Sequence, residues 1–285
     1  MSFLSTKTYL QLSENLLLLK QQDIPGLDAA ARLNDKSRLI ATKAPMLVTA
    51  GSNLAREKAM KELNVAIEQM DALMQNLADY DRYFSDLIAQ IHNSLVLLNQ
   101  SVTRRGEIHQ ELLQQSDQIF PRFNQVLTLI QTPSPDISTA SRTVIVNELY
   151  YFSGLVEKLQ NDTSFYELDE TVLRLEKIGA NIQEHLKGSF DEATPAYSQQ
   201  QLLSFLEFGT RKGELFLLKN EQLDLNYQQS FLLQNSQNHI KQLAAQINLY
   251  SDSANSRIGL SLQRAINLIN QGIKSILVLS IFSFL

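Results

Sequence analysis

The side chains best suited to chemistry in this chain are four histidines, a scatter of arginines and many carboxylates. His92, His109, His185 and His239 are read as falling on different helices, and none has a Glu three residues before it. A di-iron centre in a helical bundle draws on Glu-x-x-His pairs, so that signature is absent. A metal ion needs several donors converging on one point, which scattered histidines do not supply. Each is expected to be solvated or incidental, and no metal or cofactor is implied. The sequence holds no phosphate-cradling G-x-x-x-x-G-K-[ST], no G-x-G-x-x-G, no G-x-S-x-G and no H-E-x-x-H. No catalytic residue can be named, and this segment is not expected to be an enzyme.

Binding groups are easier to find. Arg104 and Arg105 have the planar, forked geometry that holds carboxylates, either of an anionic ligand or of neighbouring helices. Arg32 and Arg38, with Lys36 and Lys43, give one early helix a basic character, although their spacing spreads them around it. They are weak candidates for a carboxylate pocket. Pro133, Pro135 and Asp136 mark one loop, Pro195 and Tyr197 another. Loops are where partners often dock, so these five are candidate partner contacts. Tyr150, Tyr151, Phe152, Phe165 and Tyr166 are expected to pack as core where two helices meet.

The elements that must position these groups are helices throughout. Apolar residues recur at alternating steps of three and four in nearly every segment. A first helix, about 5–22, is expected to kink or restart at Ile24-Pro25-Gly26. The seam then runs through Ala30, Leu33, Ser37, Ile40, Ala44 and Leu47 to a stop at Gly51. A second seam, Met60 to Leu77, predicts a helix from Asn53 to about Tyr80, and a third helix is expected from Arg82 to Gln131 with a bend at Pro121. Ile145 to Leu159 and Leu168 to Leu186 mark two more, the second capped from Asn161-Asp162-Thr163-Ser164. From Gln199 onward no proline interrupts, and one helix is expected to the end, with Gly209 and Gly213 either admitting a close neighbour or breaking it.

Helix lengths then constrain topology. The third helix is about as long as its neighbours on both sides combined, and the last, at ~130 Å, is long enough to pass both pairs. The expected fold is all-α and elongated: two stacked antiparallel four-helix bundles sharing long helices. Residues 23–103 plus 226–260 form a membrane-proximal bundle and 104–225 an inserted, membrane-distal one. Residues 1–22 and 261–285 form a stalk.

Composition agrees: 44% apolar, 19% charged, 10 Gly, 6 Pro and no Trp favour long helices over strands and turns. With a net charge of -5 and interspersed basic residues, nucleic acid is not an expected partner. The absence of cysteine removes disulfides and thiol chemistry. The N-terminus lacks the basic start and apolar core of a signal peptide. At the other end, Ile276 to Leu285 reads ILVLSIFSFL after a last charge at Lys274. It covers about half of a ~30 Å hydrocarbon core and reads as the truncated start of a membrane helix.

Residues 24–51, IPGLDAAARLNDKSRLIATKAPMLVTAG, resemble the start of the sensor domain of TorS-type bacterial sensor histidine kinases. The matching positions are Ile24-Pro25, Ala31-Arg32-Leu33, Ser37, Ala44-Pro45 and Leu47, with a Leu-rich second helix closing at Leu73 and Leu77. The resemblance implies a periplasmic domain between two inner-membrane helices, homodimeric, preceding a kinase region outside this chain. It also implies that a periplasmic binding protein carries the signal, trimethylamine N-oxide in that family. Two other readings stand beside it: a helical bimodular chemoreceptor domain binding a small carboxylate directly through Arg32, Arg38, Arg104 or Arg105, and a membrane-tethered coiled-coil scaffold.

Overall fold

The structure is a computed structural model of the 285-residue chain. It describes residues 10–14, 17, 21, 23–75, 77, 82–132, 138–186 and 196–283; for 82, 196–198 and 275–283 it describes the backbone alone. Pro25, in the first turn, starts α1 (Ile24–Lys43) where its missing N–H costs nothing. The helix buries Ala30, Leu33, Ser37 and Ile40. It ends sooner than its seam does. Pro45 cannot donate to an i−4 carbonyl, so the chain turns at Ala44-Pro45 and resumes as the single turn α2 (Met46–Thr49), with Ala44 and Leu47 still fully buried.

Ser52 caps α3 (Asn53–Met74), its Oγ accepting from the Ala55 amide at 3.2 Å. That helix stops short of the expected Tyr80, although Leu77 beyond it remains buried. The long helix α4 (Arg82–Gln131) contains Pro121. The four histidines are not on four helices: His92 and His109 share α4, about 25 Å apart along its axis. Ser138 caps α5 (Thr139–Asn161) through the Ser141 amide. A capping box starts α6 (Phe165–Leu186), in which the Ser164 Oγ accepts from the Glu167 amide and the Thr163 amide donates to the Glu167 carboxylate at 2.8 Å.

The expected final helix is two. After α7 (Ala196–Leu206) come a 3-10 turn (Glu207–Gly209) and then α8 (Glu214–Ser283), 70 residues long. Both glycines explain the break. A Cβ on Gly209 would stand 2.6 Å from the Phe152 ring and 2.9 Å from Leu175, and one on Gly213 would collide with the Glu207 carbonyl. Among the described residues there is no strand.

The chain divides into two units, Met1–Asn99 with Phe231–Leu285, and Gln100–Ser230. In the first, α1 packs on α3, and α8 comes close to α1 where Gly26 leaves room for the Tyr250 ring. In the second, α5 and α6 form a hairpin whose core includes Ile145, Leu149, Phe152, Val172, Leu175 and Ile182, none of them exposed. Phe205 and Phe208 close that core from α7 and the 3-10 turn, Phe205 lying 5.3 Å from Phe152. Of the five aromatics expected to be core, only Phe152 is. Its neighbours Tyr150 and Tyr151 fall 100° or more off the buried stripe and are half exposed, and Tyr166 is 78% exposed. Phe165, also partly exposed, stacks on Tyr227 of α8 at 5.5 Å.

Candidate binding surfaces

Arg104 is the best-connected cation of the Gln100–Ser230 unit. Its guanidinium donates to Glu221 of α8 through Nε and Nη2, at 2.8 and 3.2 Å, and to Glu107 and Glu111 of its own helix at 3.3 and 3.0 Å. These carboxylates raise its already high pKa further, Glu221 contributing most. With three internal carboxylates around it, Arg104 fastens α4 to α8 and has little donor capacity left for a ligand. Among the described residues Arg105 reaches only the Asn226 amide oxygen, at 3.4 Å. Arg32 pairs with Asp28 one turn away on an exposed face. Arg38 is exposed on the same helix. Arg32 and Arg38 belong to one unit, Arg104 and Arg105 to the other.

Of the loop candidates, Pro133, Pro135, Asp136 and Pro195 lie outside the described residues. Tyr197 falls in the first turn of α7 and not in a loop, because that helix begins at Ala196.

A second polar knot joins α8 to the α5–α6 turn. Lys219, 7% exposed, donates to the Gln160 carbonyl at 2.7 Å and to Gln222 at 3.1 Å. Burial lowers its pKa, with Asp162 opposing. Lys158 donates to Thr171 at 2.9 Å and lies 3.6 Å from Asp162, whose second oxygen is buried without a partner. This knot is structural: it satisfies a helix C-terminus with a cation.

Among the described residues there are open clefts in both units. In the first unit, a groove of about 540 Å³ between α1 and α3 is lined by Leu39, Val65 and Ala66 together with Lys36, Lys58 and Lys61. In the second, a more polar cleft of about 360 Å³ lies between Arg122 of α4, Glu207 of the 3-10 turn and Glu214 at the start of α8. Among the described residues no group of three His, Asp or Glu could hold a metal ion.

The most extended exposed feature is apolar. Leu262, Ile266, Ile269 and Ile273 recur at steps of four, three and four along α8, each about half exposed. Leu10 and Leu17, a heptad apart near the N-terminus, are exposed to the same degree. Gln11 and Glu14 line a cleft with Arg264, Asn267 and Leu268, so residues 10–14 lie beside this part of α8. Among the described residues no helix is long and apolar enough to cross a membrane.

The arrangement has a solved counterpart. The crystal structure of the V. parahaemolyticus histidine kinase sensor TorS sensor domain superposes with a TM-score of 0.65 at 17% identity, over 80% of this chain and 99% of that one. The fold is that of the TorS sensor domain. The resemblance read from residues 24–51 thus extends, as a likeness of fold, over 80% of the chain. No protein-family model and no curated protein matches the chain.

Against the TorS-type fold, the features that sequence reasoning missed are relational. Glu221 as a partner of Arg104, and the cleft at Arg122 with Ser204, join residues 80 to 120 positions apart whose spacing carries no signal. The exposed stripe could have been found, since its four-three-four spacing is visible in the sequence.

Proposed function

We propose that this chain is the periplasmic signal-receiving domain of a transmembrane sensor histidine kinase. In this reading a periplasmic binding protein docks on the Gln100–Ser230 unit, and the resulting displacement travels along α8 toward the membrane. The observation that carries it is the shared fold, which spans 99% of the TorS sensor domain, together with one uninterrupted helix contributing to both units. A helix of 70 residues extends about 105 Å and is stiff enough to carry a displacement, provided the partner prefers one packing over another. The apolar run from Ile276 fits the entry of α8 into the inner membrane.

A homodimer belongs to the same proposal. The half-exposed stripe Leu262, Ile266, Ile269 and Ile273, with Leu10 and Leu17 nearby, has the spacing of a coiled-coil seam and is left uncovered among the described residues. Direct carboxylate capture by the arginines is less well supported, because Arg104 is already surrounded by three glutamates.

Reporter fusions within residues 23–260 of the full-length parent test the topology, and activity of a cytoplasmic reporter there would sink the sensor reading. Titrating the chain with the binding protein encoded beside the parent gene tests the docking. Saturable binding lost on replacing 132–138 with a Gly-Ser loop supports it; no binding, with or without trimethylamine N-oxide, refutes that docking partner.

A further inference from the structure

The cleft at Arg122 holds opposite charges that do not meet. Arg122, on α4, is half buried; its guanidinium lies 5.0 Å from the centre of the Phe208 ring, donates to the Gln118 side chain at 2.7 Å and reaches the Ser204 carbonyl at 3.5 Å. No carboxylate stands within ion-pair distance of it among the described residues, although the Gln100–Ser230 unit has 18 acidic against 11 basic residues. In such a unit a half-buried arginine without a carboxylate is conspicuous, since the pairing would be favourable and acids are plentiful.

Two acids line the same cleft. The backbone of Glu207 is pinned, its carbonyl accepting from the Thr210 amide and hydroxyl, each at 3.0 Å. Among the described residues its carboxylate has no hydrogen bond or ion pair. Glu214 accepts from Gln115 at 2.6 Å through one oxygen, leaving the other open. Phe208 of the 3-10 turn and Gln118 of α4 hold the guanidinium, and Glu207, next to Phe208 on the same turn, is not within ion-pair distance of it.

We propose that this cleft binds a small zwitterion, with its carboxylate on Arg122 and its ammonium on Glu207 and Glu214. A lone anion would leave two carboxylates facing each other across the site, and a lone cation would face Arg122. Only a molecule with both charges meets both walls with charge-assisted hydrogen bonds. The volume, about 360 Å³, is at the small end of ligand sites and suits an amino acid more than a peptide. The site is complete within one unit and does not depend on the docking of a protein partner.

A series of ω-amino acids serves as a ruler across the cleft. Calorimetry on the intact chain would use glycine, β-alanine, γ-aminobutyrate and δ-aminovalerate, with butyrate and butylamine as single-charge controls. The expected result is saturable one-to-one binding that peaks at one length, with both controls weaker by about tenfold or more. Arg122→Gln and Glu207→Gln should each reduce that affinity by about tenfold or more. Glu207 is exposed, so Glu207→Gln should leave the melting temperature of the unliganded chain unchanged and report on binding even where the arginine variant folds poorly. The proposal is overturned if no member of the series saturates, if butyrate or butylamine binds as well as the best zwitterion, or if Glu207→Gln binds like the parent chain.

Discussion

Between Leu225 and Ala254, α8 turns Leu232, Ile240, Leu243 and Ile247 into the protein, all less than a tenth exposed. Between Leu262 and Ile273 the same helix leaves Leu262, Ile266, Ile269 and Ile273 about half exposed. Both stretches space their apolar residues by threes and fours. The difference is that the first is covered, in part by α1 where Tyr250 meets Gly26, and the second, among the described residues, has residues 10–14 beside it and is left half exposed. Spacing therefore encodes a face that is to be covered, without saying whether the cover belongs to the same chain. The second stretch keeps the buried Ala265 toward the line of Ala254, with Gly272 on the same line in open space, and places its large side chains elsewhere.

The contrast can be broken most forcefully from the covered side. Phe152 is fully buried between Gly209, Phe205 and the α6 stripe, so Phe152→Ala should cost about 3–5 kcal/mol in chemical denaturation, the usual range for emptying an aromatic site. Gly209→Ala asks the same site to accept a Cβ 2.6 Å from that ring and should cost about 1–3 kcal/mol; a neutral result would mean that the turn yields easily. Ser52→Ala removes the cap of α3 and should cost about 1 kcal/mol by the same measurement. On the uncovered side, Ile266→Ser with Ile269→Ser should change the stability of the monomer by no more than about 0.5 kcal/mol. Sedimentation should nonetheless show weaker self-association, and an unchanged association constant would remove the stripe from any dimer interface.

The smallest effect concerns acid. Hydrogen bonds from the Thr163 amide and hydroxyl hold the Glu167 carboxyl below its ordinary value, so the capping box stabilises fully above the unfolded pKa of about 4.3 and is lost as pH falls through the lower folded value. The difference in melting temperature between the chain and Glu167→Gln should shrink on acidification across that window.

Much of the architecture was legible because long helices repeat one message many times. The stripe Ile145, Leu149, Phe152, Val156, Leu159 is buried throughout, and α4 spans Arg82–Gln131 as its seam and the flanking Tyr80 and Pro133 predict. What escaped was local. The seam runs through Pro45 without a fault, since Ala44 and Leu47 stay in phase on either side, and so the periodicity hides the break. Gly209 and Gly213 are equally ambiguous in sequence, and only Phe152 and the Glu207 carbonyl decide that the chain must turn there. The clefts were illegible for another reason. Arg122 and Glu207 are 85 positions apart, and their failure to touch is a fact of three dimensions that no spacing announces.

The two apolar lines of α8 constrain its mechanics. At 100° per residue, Ala265 and Gly272 point within about 20° of Ala254, while Leu262, Ile266, Ile269 and Ile273 cluster about a quarter turn away. A cylinder gripped along one line can still roll against its neighbour. Gripped along two lines a quarter turn apart, it can slide or tilt but not roll. Covering the exposed stripe would therefore remove one degree of freedom from the lower end of α8 and leave piston and tilt as the motions available to it.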